Sequence, residues 1–243
     1  MGWDALQFWD QDAKRIKRFT NGVANEVWSV TIRDQKAVAR LGSRSDADLQ
    51  WETNLLIFLD RNGICVPKPI PTLDGRLFAN GLVVMEHLDG TTPKTKDDWK
   101  RVTETIRRVH ELTKDWPQRP GWKSSIDLIN SNSGTKIDLT AMPAEGVKRC
   151  RNAWRKIEGL PQSVVHGDLN PGNILMSGDK VALIDWDESR VDVSSLDLAL
   201  PHNAAEIDAD RLEKIAQAVS AWEAAVCWDD DYSRRRLAEV KPV

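Results

Sequence analysis

Strand-forming and helix-forming patterns are segregated along this chain, and that segregation confines it to an α+β architecture. Val23 to Ile32 is rich in Val, Trp, Thr and Ile, turns at Arg33-Asp34-Gln35-Lys36 and returns through Ala37 to Leu41, which reads as a hairpin. Leu82-Val83-Val84-Met85 reads as a short buried strand after the Asp74-Gly75 turn. One helix interrupts this region over Ser45 to Asp60, with Leu49, Glu52, Leu55, Leu56 and Leu59 at helical spacing and Gly63 as its stop. Residues 3–17 also read as a helix. After Asp89-Gly90 helices dominate, at 97–113, 144–158 and beyond 210, where Leu212, Ile215, Ala216, Val219 and Trp222 share a face. Only Ile174-Leu175-Met176 and Val181-Ala182-Leu183-Ile184, flanking Ser177-Gly178-Asp179-Lys180, form a second hairpin there. A boundary is expected near 88–91.

The 243 residues suffice for one large domain or two small ones. Counting glycine, the apolar fraction is ~47%, within the ordinary globular band, which excludes a disordered or collagen-like chain. A net charge of −3 gives no basic footprint for nucleic acid. No uninterrupted apolar stretch exceeds five residues, against the ~20 a membrane span needs. The start, Met1-Gly2-Trp3-Asp4-Ala5-Leu6, has neither a secretory signal pattern nor the Ser or Thr at position 6 of a myristoylation motif. Cys65, Cys150 and Cys227 are odd in number and fit no zinc or disulfide spacing, so reduced thiols in a cytoplasmic protein are expected.

The chemistry concentrates in His166-Gly167-Asp168-Leu169-Asn170-Pro171-Gly172-Asn173, followed by Ile184-Asp185-Trp186. Asp168 and Asn173 lie on a loop leaving a Val-Val strand, and Asp185 ends the next hairpin. Three polar groups on neighbouring loops can converge. Phosphoryl transfer from ATP uses such a set: one carboxylate to accept the proton of the attacking hydroxyl, and an amide oxygen and second carboxylate to hold magnesium. Asp-x-x-x-x-Asn is the spacing kinases use for base and metal ligand.

These motifs resemble those of the aminoglycoside phosphotransferase and choline kinase superfamily, which shares the protein-kinase-like fold. The resemblance covers roughly residues 18–200. After the N-terminal helix (1–17), it implies a two-lobed α+β fold: a β-rich nucleotide-covering N-lobe (18–88) and a mostly α C-lobe (89–243) with catalytic loop, metal and acceptor site. It implies Asp168 as catalytic base, Asn173 and Asp185 as magnesium ligands, and Asp197 of Asp197-Leu198-Ala199 as a brace for the catalytic loop. Asn21, Gly22, Val23, Ala24 and Asn25 are similar to the family's phosphate-covering Gly-x-x-Asn-x-Val segment, and their backbone N–H groups are expected to cradle phosphate. Arg40 stands where protein kinases present a lysine to the phosphates; it keeps the charge and offers a forked donor. Glu52 is expected to pair with it. Val84 to Gly90 resembles the hinge, with Glu86 and Leu88 as backbone contacts to adenine.

The implied cofactors are ATP and Mg2+, and the implied reaction is transfer of the γ-phosphate to a small-molecule hydroxyl. Asp185 to Asp210 holds eight acids against Arg190 alone, a local charge of −7, which would suit a cationic acceptor. A short tail after Asp185, no Ala-Pro-Glu, and Gly167 in place of the arginine of His-Arg-Asp argue against protein substrates. Two alternatives stay open: a metabolite kinase acting on an amino alcohol, homoserine or a sugar, and a catalytically silent nucleotide-binding module. The oligomeric state is unspecified, and no role is assigned to the eleven tryptophans.

Overall fold

The computed structural model describes residues 2–19, 25–134, 136–226, 228 and 230–242. Its principal elements, in chain order, are a 3₁₀ turn (Trp3–Phe8), β1 (Lys14–Phe19), β2 (Glu26–Ile32), β3 (Gln35–Leu41), α1 (Asp46–Arg61), β4 (Leu82–Glu86), α2 (Lys96–Leu112), β5 (Ser133–Gly134), β6 (Ile137–Asp138), α3 (Ala144–Arg155), β7 (Gln162–Val165), β8 (Ile174–Ser177), β9 (Lys180–Leu183), β10 (Arg190–Val193), α4 (Ala209–Val226) and α5 (Asp231–Glu239). They form two compact units, Met1–Thr92 with Ile174–Ile184, and Pro93–Asn173 with Asp185–Val243.

Among the described residues of the first unit, β1-β2-β3-β4 form an antiparallel sheet in that order. Alternation along the strands sends Val30, Ile32, Ala37, Ala39, Leu82 and Val84 to one face, where they bury Ala5, Leu6 and Trp9. Trp9 Nε1 donates to Ile70 O at 2.6 Å, which satisfies the polar end of a fully buried ring. α1 starts on Ser45, whose hydroxyl accepts from Asp48 N–H at 3.3 Å. It ends in a Schellman turn: Gly63 (φ +78°) donates to Asp60 O at 2.9 Å and Ile64 to Leu59 O at 3.0 Å.

Two expectations for this region change. The helix expected over 1–17 is one 3₁₀ turn followed by β1. Ala5, Leu6 and Trp9 of that span are buried on one side of the sheet, while Lys14, Arg15, Lys17 and Arg18 lie on an exposed edge strand, where charge blocks further pairing. Arg15 lies over Trp28 at 4.8 Å and Trp3 at 5.2 Å. The β8–β9 hairpin, expected within the C-lobe, packs in the first unit. Leu183 N–H donates to Cys65 O at 3.0 Å, and Thr91 and Met176 exchange backbone bonds of 3.0 and 2.7 Å.

In the second unit α2 opens on a reciprocal capping box between Thr95 and Asp98. Its buried face is Trp99, Val102, Thr103, Ile106, Val109 and His110. α3 and α4 pack around Cys150, Trp154, Ala218, Ala221 and Trp222, with Leu237 of α5 against them. β7 and β10 pair antiparallel, Val165 opposite Arg190 and Gln162 opposite Val193. The tryptophans that carried no sequence-based role are largely core: Trp9, Trp154 and Trp186 are fully buried, and Trp51, Trp99, Trp122 and Trp222 nearly so. No helix among the described residues is long and apolar enough to cross a membrane.

Candidate active site

β7 delivers the chain to His166, which is fully buried with its ring 4.8 Å from that of Trp186. The backbone then turns through Gly167 at φ +83°. A Cβ here would lie 2.6 Å from Glu188 O and 2.9 Å from an Arg190 nitrogen, so glycine is required by both conformation and space. Gly167→Ala is expected to destabilise the fold by more than ~1 kcal/mol and to reduce any activity of the loop; a melting curve of the variant checks the first and a turnover assay the second.

The turn is held from within. Asp197, buried, accepts the N–H groups of His166 at 2.7 Å and Gly167 at 3.0 Å and faces His110 Nε2 of α2 at 3.1 Å. Burial alone would raise the Asp197 carboxyl, but the His110 hydrogen bond, the two imidazoles and the Gly167 N–H together hold it below the usual carboxylate value. Asp168 is thereby presented on the surface. Asn170 Nδ2 donates to its Oδ1 at 2.9 Å, and Asn173 Nδ2 to its Oδ2 at 2.8 Å and to its carbonyl at 3.0 Å. Asp168 and Asn173 are therefore in direct contact. Because Asn173 spends its NH₂ on Asp168, its Oδ1 has no hydrogen-bond partner among the described residues.

Asp185 is exposed and adopts φ +63°, a left-handed conformation that aspartate tolerates better than most residues. The segment after it is clamped by Arg119, which is 1% exposed and donates to the carbonyls of Trp186 at 3.3 Å, Asp187 at 3.1 Å and Ser189 at 2.8 Å. Gln118 brackets Val191 with both ends of its amide, at 2.7 and 3.0 Å. Neither residue was expected from sequence, because each acts about 70 positions away along the chain. His110 had a legible signal. It continues the 99, 103, 106 stripe on the buried face of α2, where a polar ring needs a partner.

In the first unit Arg40 and Glu52 meet, Nη2 to Oε1, at 2.5 Å and are 5% and 1% exposed. Arg44 also pairs with Glu52 and reaches Asp48 at 3.5 Å, so two guanidinium groups face two buried acids. Asn25 sits over Gly42, where a Cβ would lie 2.1 Å from its Oδ1. Asn21, Gly22, Val23 and Ala24 lie outside the described residues. Glu86 ends β4 with its N–H donated to Lys68 O at 2.9 Å and its side chain on Lys68 Nζ, also at 2.9 Å; Leu88 is half-buried.

The acidic run is spread over separate partners. Asp192 is paired with Arg190 at 2.9 Å, Glu188 with Lys136 at 2.5 Å and Asp210 with Lys214 at 2.5 Å, and Asp208 accepts Arg211 N–H at 2.9 Å. Beside Asp168 the second unit holds a cavity of about 180 Å³, bounded by Gly167–Asn170, Arg190, Leu196, Leu200, Val219, Trp222 and Glu223.

The chain matches the model of the phosphotransferase enzyme family over residues 15–237. A homoserine kinase of Beijerinckia indica is 27% identical over 174 residues, 65% of this chain and 54% of that protein. The chain thus spans about half the length of the curated relatives it matches. Two solved structures share the fold. A microcompartment-associated aminopropanol kinase has a TM-score of 0.65 at 16% identity, with 98% of this chain and 92% of that one covered. A thermostable mutant of aminoglycoside phosphotransferase APH(4)-Ia has 0.66 at 12% identity, with 96% of each covered. The α+β fold is therefore the protein-kinase-like one that the motifs implied. With Asp168 and Asn173 joined on one braced loop and the family pattern running over most of its length, this chain belongs to the phosphotransferase enzyme family.

Proposed function

We propose that the protein transfers the γ-phosphate of ATP to the hydroxyl of a small molecule. The observation that carries the reading is the Asp168–Asn173 contact on a loop fixed by Asp197. It combines an exposed carboxylate, positioned to accept a proton, with an amide oxygen left for a cation. Asp168 is the general base. Arg40, oriented by Glu52, clamps the phosphates with its fork. The resemblance assigns the covering of those phosphates to residues 21–25, of which Asn25 alone is described. Glu86 and Leu88 contact adenine through the backbone; the Glu86 N–H is already bonded to Lys68, so its carbonyl is the group offered to the base.

The donor set suits a hard divalent cation. Asn173 Oδ1 and the exposed Asp185 carboxylate are oxygen donors of the kind Mg2+ prefers. Bound there, Mg2+ would neutralise phosphate charge; Asn173 and Asp185 would hold it. Everything else the chain supplies is positioning, which is most of what phosphoryl transfer asks of a protein.

A metabolite acceptor is the second reading, favoured by the homoserine kinase relatives, 27% identical in the Beijerinckia case. A silent nucleotide-binding module is disfavoured, since it would need neither Asp168 nor its two amide contacts.

The test is magnesium-dependent ADP release over aminoglycosides, choline, ethanolamine, homoserine and common sugars. Asp185→Ala is expected to move half-saturation to higher magnesium by at least about tenfold, as loss of a charged ligand does. An unchanged magnesium titration would remove Asp185 from the metal site. Silence with every acceptor, while ATP is bound, would favour the binding module.

A further inference from the structure

Arg44 is a second cation on the Arg40–Glu52 pair, and the kinase motifs do not require one there. Asp48 and Glu52, one turn apart on α1, face it together. Glu52 divides its carboxylate between the two arginines: Oε1 takes Arg40 Nη2 at 2.5 Å, and Oε2 takes Arg44 Nη1. Asp48 lies 3.5 Å from that same Arg44 nitrogen. The Arg44 side chain is 12% exposed and those of Arg40, Asp48 and Glu52 at most 6%, so salt screens the cluster little. The loop carrying Arg44 is fixed two residues earlier. Gly42 donates its N–H to Gly81 O at 3.2 Å, and Asn25, in the segment assigned to phosphate covering, leaves no room for a side chain on it.

Charge decides what Arg44 is for. With it, two guanidinium groups and two carboxylates sum to zero. Without it the group is −1, and Glu52 has both oxygens to offer to Arg40. A fork-to-fork pair is the geometry that arginine and carboxylate favour. It would spend on Glu52 the donors that a phosphate needs. Negative charge behind the clamp would also repel a nucleotide, more strongly with each phosphate it carries.

We infer that Arg44 is a positioning residue for the nucleotide phosphates: it takes half of Glu52, so that Arg40 is oriented without being neutralised. It acts through Arg40 and needs no contact of its own with the ligand. This rests on the reading of Arg40 as the phosphate clamp, and the experiment separates the two.

Binding of adenosine, ADP and ATP, each with magnesium, is measured calorimetrically on the full chain. The proteins are wild type, Arg44→Met, Arg44→Gln, Arg44→Lys, Arg40→Met and the double variant Arg40→Met with Arg44→Met. Wild type is expected to bind ATP at least about tenfold more tightly than adenosine, the range that hydrogen bonds between charged groups supply. Arg44→Met keeps the apolar stem and removes the charge. It should weaken ATP by about tenfold, ADP by less and adenosine by under about twofold. Arg44→Gln, which can still hydrogen-bond Glu52, is the milder second variant and should show the same split. Arg44→Lys restores the charge and should recover most of the ATP affinity. In Arg40→Met, adding Arg44→Met should cost ATP under about twofold, because residues that act through one another are not additive. A purely structural role would lower adenosine and ATP binding together, and that result overturns the inference. Unchanged ATP affinity in Arg44→Met and Arg44→Gln overturns it too. So does a further tenfold loss in the Arg40→Met background, which would make Arg44 a phosphate contact in its own right. If wild type itself binds ATP no more tightly than adenosine, Arg40 holds no phosphate, and the clamp reading falls with the inference.

Discussion

Asp168→Ala is expected to lower turnover by about 10²–10⁴-fold, the usual contribution of a positioned general base, while fold and nucleotide affinity stay near wild type. The split follows from how Asp168 is held. It is exposed, and its two oxygens take amide hydrogens from Asn170 and Asn173, both on the same loop. Removing it strands no buried charge, and surface substitutions of this kind usually fall within about 0.5 kcal/mol. The brace on His166 and Gly167 does not pass through the Asp168 side chain, so the turn itself remains. ADP release under saturating Mg-ATP measures the first effect, and calorimetric ATP binding with a melting curve the second. Turnover equal to wild type would take Asp168 out of the chemistry. A collapse in ATP affinity would make it a binding residue instead.

The residues behind this prediction were readable because they are local. Asp168, Asn173 and the glycine between His166 and Asp168 sit within eight positions, so their spacing reads as one motif. The Arg40–Glu52 pair was readable for a related reason: strand and helix are consecutive, and the helix lies on the sheet face that Arg40 points to. What sequence did not disclose is distant in the chain. Arg119 clamps residues 186–189, Gln118 brackets Val191 and Tyr232 fixes Glu223. Each reads locally as an ordinary polar residue. The β8–β9 hairpin showed its two strands but not its allegiance. That is set by backbone bonds to Cys65 and Thr91, more than 80 residues upstream. The missed strand β1 has another cause. Lys-Arg-Ile-Lys-Arg-Phe has no buried position, so periodicity had nothing to register, and pairing to β2 alone makes it a strand. The acidic run shows in sequence only as summed charge; Asp192, Glu188 and Asp210 each have a cationic partner where they stand.

The brace on the loop carries the larger stability effect. Asp197→Ala leaves the N–H groups of His166 and Gly167 without their acceptor and His110 without its partner, in a buried setting. Unsatisfied buried donors cost about 1–3 kcal/mol each, and at least two are left here. A loss of about 3–5 kcal/mol lowers the melting temperature of a chain this size by roughly 10 °C. Turnover should fall as well, because the turn that presents Asp168 loses its anchor. The pH dependence gives a signature that simple cavity formation lacks. The Asp197 carboxyl is held below its unfolded value of ~3.9. Its contribution is therefore complete above about pH 4 and is lost as pH falls through the lower folded-state value. Asp197→Asn keeps a carbonyl oxygen for one N–H but no charge for His110, so it should fall between alanine and wild type at pH 7. Its deficit should then narrow as the solution is acidified below pH 4. Urea melts of wild type and both variants at pH 7 and pH 3.5 measure this. A deficit that does not change with pH would mean that Asp197 acts by shape, with its charge contributing nothing to the loop.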